Sequence, residues 1–232
     1  MRSTLKPKGL SDSFEQDHNR IFNAKMVLSL TSVDDFDRVE SLNPDIIELR
    51  LDLIKGERDS LLQERRNLPC LPVITTLRST REGGNFSGDS AEWLESVRPW
   101  FDCSDFIDIE RKYAGYAPLV RESGAGIIAS AHLNYMPSVQ EFSDIGRDLR
   151  SYGDLPKIVV TPGCRDDLLD LLAYTNSSPK PICVSVMGEK FRFARVVLPL
   201  FGSVLVYCHM GQTAAAGQYH ISEMKKILKM LK

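Results

Sequence analysis

The sequence predicts a single-domain α/β protein, a (β/α)8 TIM barrel. Eight short runs rich in β-branched and apolar residues begin about 20 to 34 residues apart, the spacing of a strand followed by a helix. The runs are nearly continuous in apolar residues, as in parallel strands that helices cover on both faces. The length of 232 residues suits one such barrel. An open doubly wound sheet is the alternative, but no glycine-rich phosphate loop follows the first run.

The predicted strands are separated by stretches of helical periodicity. The strands are Lys25–Thr31, Asp45–Asp52, Leu71–Arg78, Asp105–Arg111, Gly126–His132, Pro156–Thr161, Pro181–Met187 and Ser203–His209. The helices are Val33–Leu42, Glu57–Leu68, Ser90–Asp102, Pro137–Tyr152, Arg165–Thr175, Lys190–Leu200 and Gln218–Leu231. This alternation assigns residues 25–232 to the barrel and leaves residues 1–24 as an N-terminal extension or a cap on the bottom of the barrel.

Local signals support several of the helices. Ser32 and the Ser87–Ser90 segment offer oxygens that accept hydrogen bonds from the first turn of a helix. Pro137 suits a position in the first turn. The stretch Tyr113–Glu122 contains a glycine and a proline, so it predicts only a short helix after the fourth strand.

The composition excludes several classes of function. The net charge is −2, and no strongly basic segment offers a surface for nucleic acid or anionic lipid. The sequence contains no run of about 18 apolar residues, the length that a membrane span requires. The first 24 residues lack the apolar core of a secretory signal. The five cysteines show no metal or redox spacing. We expect a cytoplasmic protein with a small-molecule partner.

The second predicted strand ends in charged residues. Glu48, Arg50 and Asp52 alternate along it, so their side chains share one face. Inside a barrel these charges would have to pair, because burying an unpaired charge is unfavourable. For this strand alone, a buried ion-pair network that only stabilises the barrel is a reasonable interpretation.

Similar residues recur near the ends of the neighbouring strands, where barrel enzymes carry their reactive groups. These residues are Arg78, Glu82, Asp108, Glu110 and His132. A purely structural network would require many desolvated charges with no other use. The pattern therefore favours a binding site for a polar small molecule.

Lys157 opens the sixth strand among apolar residues. A lysine at a strand start can extend to solvent along its aliphatic stem. If it points into the barrel instead, burial and nearby arginines disfavour the charged form. A neutral amine is a nucleophile toward ketones, so an inward Lys157 would indicate covalent catalysis.

His132 closes the fifth strand and is the best candidate for a base. Asp108, one strand away at a similar depth, could accept a hydrogen bond from one ring nitrogen and leave the other free. A lone histidine is often structural, and His209 at the end of the eighth strand is the rival candidate.

With these residues in view, the sequence resembles the type I 3-dehydroquinate dehydratases, the Schiff-base enzymes of the shikimate pathway. The resemblance extends over about 200 residues and depends on the order of several short motifs. The motifs are Glu48–Asp52, Thr76–Gly84, Phe106–Glu110, His132 before Met136–Pro137, Pro156–Val160, Met187–Gly188, Arg195, Phe201–Ser203 and Gly217–Gln218.

The resemblance implies a role for each candidate residue. Lys157 would form the Schiff base and His132 would transfer protons, with Asp108 and Glu82 supporting the histidine. Arg195 would bind the substrate carboxylate, as a planar guanidinium does through two parallel hydrogen bonds. Other polar residues would hold the hydroxyls and the carboxylate. These are Glu48, Arg50, Arg78 and Gln218. The resemblance further implies a homodimer and a reaction that needs no metal or organic cofactor.

The chain departs from the family pattern in two places. Where the family usually has Ser-Ala-Pro-Gly-Gln, this chain has alanine at Ala214 and Ala216. We expect a more mobile loop and a less firmly held carboxylate. Phe191 stands where the family often has glycine, although Arg195 keeps its spacing.

Three other activities fit the same residues. A class I aldolase would share the Schiff-base lysine but cleave a carbon–carbon bond; no glycine-rich phosphate loop favours phosphorylated substrates. A metal-dependent barrel enzyme could use the acids and the histidine at the strand ends. A non-catalytic barrel would bind a metabolite without turnover. In the metal-dependent alternative, the candidate ligands would be Glu48, Asp52, Asp108, Glu110 and His132.

Overall fold

The strands curl into a parallel barrel, which confirms the predicted fold class. A computed structural model describes residues 24–56, 62, 63, 65 and 71–231. The strands run in the spatial order β7-β6-β5-β4-β3-β2-β1-β8-β9. They are β1 (Lys25–Leu30), β2 (Ile46–Arg50), β3 (Val73–Thr76), β4 (Phe106–Glu110), β5 (Gly126–His132), β6 (Leu155–Val160), β7 (Cys183–Val186), β8 (Leu205–His209) and β9 (Tyr219–His220).

The barrel closes between β7 and β8 through few contacts. Ile182 and Ser203, which precede these strands, form a parallel bridge. The backbone N–H of Val204 donates to the Ile182 carbonyl at 2.9 Å, and the Ser203 hydroxyl bonds both the amide and the carbonyl of Val184. The seam therefore joins at the N-terminal ends of the two strands. The short strand β9 pairs with the end of β8.

The interior of the barrel changes character along its axis. A layer of apolar side chains fills the N-terminal end, including Val27, Ile74, Ile128 and Leu205. The next inward positions are polar: Ser130 lies opposite Lys157, and Thr76 lies opposite Asp108. Because alternate residues of a strand share a face, the register stacks charged residues directly above an apolar floor.

Helices cover the outside of the barrel, where three further apolar clusters lie. The helices are α1 (Val39–Leu42), α2 (Ser90–Val97), α3 (Ala117–Ser123), α4 (Val139–Tyr152), α5 (Arg165–Ser177), α6 (Ala194–Val197) and α7 (Ile221–Met230). Shorter 3-10 segments span Val33–Arg38, Thr80–Glu82, Arg98–Cys103, Arg111–Tyr116 and Leu198–Phe201. None of the helices in the described part of the chain combines the length and apolarity that crossing a bilayer requires.

Several predicted helices differ from the structure in extent. Lys190–Leu200 is helical only from Ala194. The predicted start at Gln218 is wrong, because Tyr219 and His220 pair with β8 and α7 begins at Ile221. Pro137 precedes the helix, and the Ser138 hydroxyl caps its first turn instead. Each difference arises because a tertiary contact or a better cap overrides helical periodicity.

Two predictions fall largely on other parts of the chain. The extension 1–24, apart from Ala24, lies outside the described residues. Of the predicted helix Glu57–Leu68, only residues 62, 63 and 65 are described, and all three are helical.

Candidate active site

At the carboxyl ends of the strands, the barrel encloses a cavity of about 180 Å³. Eight of the nine predicted site residues line it; Asp108 lies behind them. The lining consists of Glu48, Arg50, Thr76, Arg78, Glu82, Gly83, His132, Lys157, Val159, Ser185, Met187, Arg195, Tyr207, Ala214, Ala215, Ala216 and Gln218. Residues from widely separated parts of the chain therefore converge on one polar site.

Lys157 points into the barrel and is only 4% exposed. Its Nζ donates to Asp108 Oδ2 at 3.1 Å and lies 3.9 Å from Glu48 Oε1. The amine also lies 4.0 Å from the centre of the Tyr207 ring. The alternative of a lysine extending to solvent is thus wrong. The amine is buried at the base of the cavity, directly above the apolar floor.

The role expected for Asp108 as the hydrogen-bond partner of His132 is not what the structure has. One Asp108 oxygen accepts from Ser130 at 2.5 Å, and the other faces both Lys157 and Arg78. Burial raises the pKa of this carboxyl, but Arg78 and Lys157 outweigh that effect and hold it below its usual range. Asp108 is therefore a charged partner of the lysine.

The carboxylate that contacts His132 is Glu82. Its Oε2 lies 2.8 Å from His132 Nδ1 and accepts the backbone N–H of His132 at 3.1 Å. Glu82 reaches this position because the chain reverses after β3, where Gly84 packs so closely that a Cβ would meet the Arg78 carbonyl oxygen at 2.2 Å. A proton on Nδ1 leaves Nε2 as the basic nitrogen.

Electrostatics keep the imidazole neutral. Burial lowers the pKa of His132 well below its usual 6.5, and four surrounding cations, Arg78, Lys157, Arg50 and Arg195, lower it further. Burial raises the pKa of the neighbouring Glu82 to about 8, against the opposing effect of Arg78. His132 therefore enters the reaction in the form that accepts a proton.

Arg78 lies at the centre of a paired network on the β3–β4 side of the cavity. Its guanidinium contacts Asp108 at 2.8 Å, Glu110 at 3.1 Å and Glu82 at 3.3 Å. Burial alone would lower the pKa of Arg78, but these carboxylates raise it above its ordinary value. Glu110 also accepts from the backbone and the hydroxyl of Ser79. Each charge in this network has an opposite partner.

The predicted Glu48-Arg50-Asp52 ladder is inward, and each member has partners. Arg50 forms two parallel hydrogen bonds with Asp52, at 2.9 and 2.8 Å. Glu48 accepts from the hydroxyls of Ser29 and Thr76. Asp52 faces Arg50, whereas Glu48 and Arg50 line the cavity. The ladder is thus both a buried network and a wall of the site.

Arg195 differs from the other buried arginines. Among the residues that the structure describes, no carboxylate pairs with it: Nη1 lies 3.4 Å from the Ser185 hydroxyl and Nη2 donates to the Ala216 carbonyl at 3.2 Å. Its buried Nε has no hydrogen-bond partner there. Burial lowers the pKa of Arg195 to about 10, which leaves it cationic near neutral pH. A free cation in a cavity is suited to a carboxylate ligand.

The loop with the two unusual alanines covers one side of the cavity. Arg50 Nη1 donates to the Ala214 carbonyl at 3.0 Å, and Arg195 bonds the Ala216 carbonyl. Gln218 Oε1 accepts from the backbone N–H of Ala214 at 2.9 Å. The side-chain amide nitrogen of Gln218 therefore points away from Ala214. The two alanines thus contribute backbone carbonyls in place of side-chain groups.

His209, the rival candidate for the base, lies outside the cavity lining, and so does the neighbouring Arg192. His209 faces His220, and its Nδ1 accepts from the Gly211 backbone. Arg192 stacks on the Tyr219 ring at 4.1 Å and approaches Glu189. These contacts fix both side chains beside the site.

The groups considered as metal ligands have other partners. Asp52 pairs with Arg50, Asp108 and Glu110 pair with Arg78, and His132 contacts Glu82. Within the described ranges, no three His, Cys, Asp or Glu side chains form a group that could hold a metal ion.

Sequence reasoning missed Tyr207, Ser185 and Met187 as lining residues. Tyr207 alternates with Leu205, which faces the barrel interior, so its inward direction could have been read from β8. The hydroxyl of Tyr207 gave no signal in the sequence, because most of the residues around it in β8 are apolar.

Comparison with known proteins agrees with this geometry. Residues 29–232 match the family model of type I 3-dehydroquinase. The chain is 43% identical over 207 residues to a 3-dehydroquinate dehydratase of Methanoregula boonei, covering 89% of this chain and 99% of that protein. It is 37% identical to one of Methanospirillum hungatei, covering 95% and 86%.

Solved structures share the fold. The 3-dehydroquinate dehydratase of Geobacillus kaustophilus superposes with a TM-score of 0.82 at 23% identity, covering 90% of this chain and 91% of that one. That of Aquifex aeolicus gives 0.77 at 25% identity, covering 89% and 98%. With a family model that matches most of its length and relatives more than 30% identical, the chain belongs to the type I 3-dehydroquinase family.

Proposed function

We propose that Lys157 is the Schiff-base residue and His132 the proton-transfer residue of this enzyme. The overall reaction is that of the family, a hydro-lyase that dehydrates 3-dehydroquinate to 3-dehydroshikimate in the shikimate pathway. The observation that carries the assignment is the buried amine of Lys157, at the base of a cavity that a neutral, oriented histidine also lines.

The first step joins the substrate to the enzyme. Lys157, once its ammonium group has given up a proton, attacks the ring ketone through the free amine, and loss of water gives an iminium ion. The Asp108 and Glu48 carboxylates, 3.1 and 3.9 Å from Nζ, orient the amine and stabilise the positive nitrogen. The iminium draws electrons from the adjacent carbon, so a proton on that carbon becomes removable near neutral pH.

The second step eliminates water. His132 Nε2 takes the proton from the carbon, which leaves an enamine. The enamine expels the neighbouring hydroxyl as water, with the proton returned by His132, so one group acts as base and then as acid. Glu82 holds the ring through Nδ1. Hydrolysis of the product iminium releases the product and regenerates the amine.

The remaining residues bind the substrate. Arg195 holds the carboxylate, since it is the cation of the cavity without an acidic partner among the described residues. Glu48, Arg50, Arg78 and Gln218 bond the ring hydroxyls and the carboxylate, with Glu48 as acceptor and the others as donors.

Borohydride trapping tests the lysine assignment. Reduction of the iminium in the presence of substrate or product should inactivate the enzyme and add one ligand mass to the peptide containing Lys157. Lys157→Ala should fold and show essentially no turnover. Labelling of another lysine, or full activity after reduction, would overturn the assignment. Lys112, also on the barrel but outside the cavity lining, provides the matched Lys→Ala control with normal trapping.

The same experiment separates the alternatives. A class I aldolase would be trapped but would release a carbon–carbon cleavage product. A metal-dependent enzyme would lose activity with a chelator and keep it after borohydride treatment. A metabolite-binding barrel would be stabilised by ligand and would show no turnover.

We further propose that the enzyme is a homodimer, which the family resemblance implies, and that it is located in the cytoplasm. Support comes from large apolar side chains at the surface of adjacent helices, Val139 on α4 and Leu169 on α5, 67% and 64% exposed. Sedimentation at micromolar concentration should give the mass of two chains, and cell fractionation should recover the enzyme with cytoplasmic markers. A single-chain mass would contradict the dimer, and recovery in another fraction would contradict the location.

A further inference from the structure

The Tyr207 hydroxyl is a buried polar group at the inner wall of the barrel. Tyr207 is 6% exposed, and its phenolic oxygen has no hydrogen-bond partner among the described residues. Leaving a buried donor unsatisfied is unfavourable, because the group has lost its hydrogen bonds to water. Such a group in a native protein calls for an explanation, and a bound ligand is one.

The position of Tyr207 connects the hydroxyl with the cavity. On β8 it lies opposite Val27 of β1, and both residues belong to the apolar cluster inside the barrel. The ring is part of the cavity lining, and its centre is 4.0 Å from Lys157 Nζ. The Tyr207 ring therefore borders the space that a six-membered ring attached to that amine would occupy.

The phenol also remains a hydrogen-bond donor. Burial raises the pKa of Tyr207 well above 10, and the nearby charge of Glu48 raises it further. The phenol therefore keeps its proton near neutral pH. A polyhydroxylated substrate supplies acceptor oxygens, which the apolar floor beneath the ring does not.

We propose that Tyr207 is a further substrate-binding residue, whose phenol donates a hydrogen bond to a ring oxygen of the substrate bound at Lys157. The ring face packs against the amine, and the hydroxyl finds its partner only when the ligand is present. This inference rests on the proposed covalent chemistry at Lys157 and adds a specificity contact to it.

A second tyrosine supplies an internal control. Tyr113 is 1% exposed and its hydroxyl also has no partner among the described residues. It stacks on Trp93 in a cluster between the barrel and the helices, outside the cavity lining. Tyr113→Phe removes the same atom from a comparable environment that no substrate reaches.

The test compares Tyr207→Phe with Tyr113→Phe and with the unaltered enzyme. Loss of a hydrogen bond made only with ligand should lower kcat/KM of Tyr207→Phe by about 5- to 30-fold, and should reduce the thermal shift produced by 3-dehydroshikimate. The Tm of the free enzyme should stay the same or rise, since the hydroxyl has no partner there. Tyr113→Phe should keep kcat/KM and the ligand-induced shift.

Each other outcome overturns the proposal. Unchanged kcat/KM in Tyr207→Phe would show that the phenol makes no contact with substrate. A large fall in the Tm of the free variant would show that the hydroxyl serves the fold. Borohydride trapping at Lys157 should persist in both variants. If the unaltered enzyme is not trapped, the covalent mechanism itself fails, and that result is distinct from a failure confined to Tyr207.

Discussion

The two sides of the cavity differ in how their charges are satisfied. On the β2–β4 side, Arg50 and Arg78 are bound to carboxylates at distances of 2.8 to 3.3 Å. On the β7–β8 side, Arg195 has no acidic partner among the described residues and the Tyr207 hydroxyl has none at all there. The arginines of the first side are paired with carboxylates without a ligand, whereas the second side has a cation with no carboxylate partner among the described residues.

This difference indicates how the site divides its work. Pairing reduces the cost of burying a charge, so the β2–β4 network forms a fixed wall of the cavity beside Lys157 and His132. The unpaired groups of the β7–β8 side stand ready for a carboxylate and a hydroxylated ring. Lys157 and His132 lie between the two sides.

The largest effect on turnover is expected at His132, which lies between the two sides of the cavity. His132→Ala should lower turnover by about 10² to 10⁴, because a positioned base is lost. Imine formation at Lys157 should survive, since the lysine attacks with its own lone pair. Steady-state kinetics and borohydride trapping measure the two steps separately. His209→Ala is the matched control; near-normal turnover in His132→Ala together with loss in His209→Ala would reverse the assignment.

On the paired side, Arg78→Met should chiefly reduce stability. It leaves Asp108 and Glu110 short of their shared cation, and breaking a buried pair destabilises proteins by about 3–5 kcal/mol. Urea unfolding measures the loss. A variant as stable as the unaltered chain would show that the network does not depend on Arg78.

On the β7–β8 side, Arg195→Met should weaken substrate binding and should not reduce stability. Removing a buried cation that has no acidic partner among the described residues should leave the free energy of unfolding unchanged or raise it. The KM should rise tenfold or more, because a charge-assisted pair with the substrate carboxylate contributes about 1.5–3 kcal/mol. An unchanged KM would mean that another cation, with Arg192 the nearest candidate, holds the carboxylate; Arg192→Met is therefore the companion variant.

The smallest expected effect is on the pH dependence of kcat/KM. His132 must be neutral to act as a base, and its pKa lies well below 6.5. As pH falls from 7.5 to 6.5, kcat/KM should therefore not show the decrease expected of an unperturbed histidine; the decrease should come at lower pH. NMR titration of the imidazole, assigned with His132→Ala, checks the pKa directly. A midpoint at or above 6.5 would contradict the electrostatic effect of the surrounding cations.

Much of the site was predictable because strand patterns are local. Period-2 alternation placed Glu48, Arg50 and Asp52 on one inward face. The order of strands in a barrel then brought Lys157 and His132 to neighbouring positions, with Ser130 opposite Lys157 and His132 two residues further along the same face. Apolar runs at regular spacing were enough to predict the barrel itself.

The structure alone decided which groups are partners. Asp108 and Glu82 were both candidates for supporting His132, and the loop after β3, folded tightly at Gly84, brings Glu82 to the histidine. Asp108 instead faces Lys157, because the register of β4 with β5 places it opposite Ile128, four residues before His132. Sequence patterns encode which face a residue occupies. Strand register and loop conformation, which depend on contacts distant in sequence, determine which atoms meet across that face. They also determine which atoms, such as the Tyr207 hydroxyl, have no partner among the described residues.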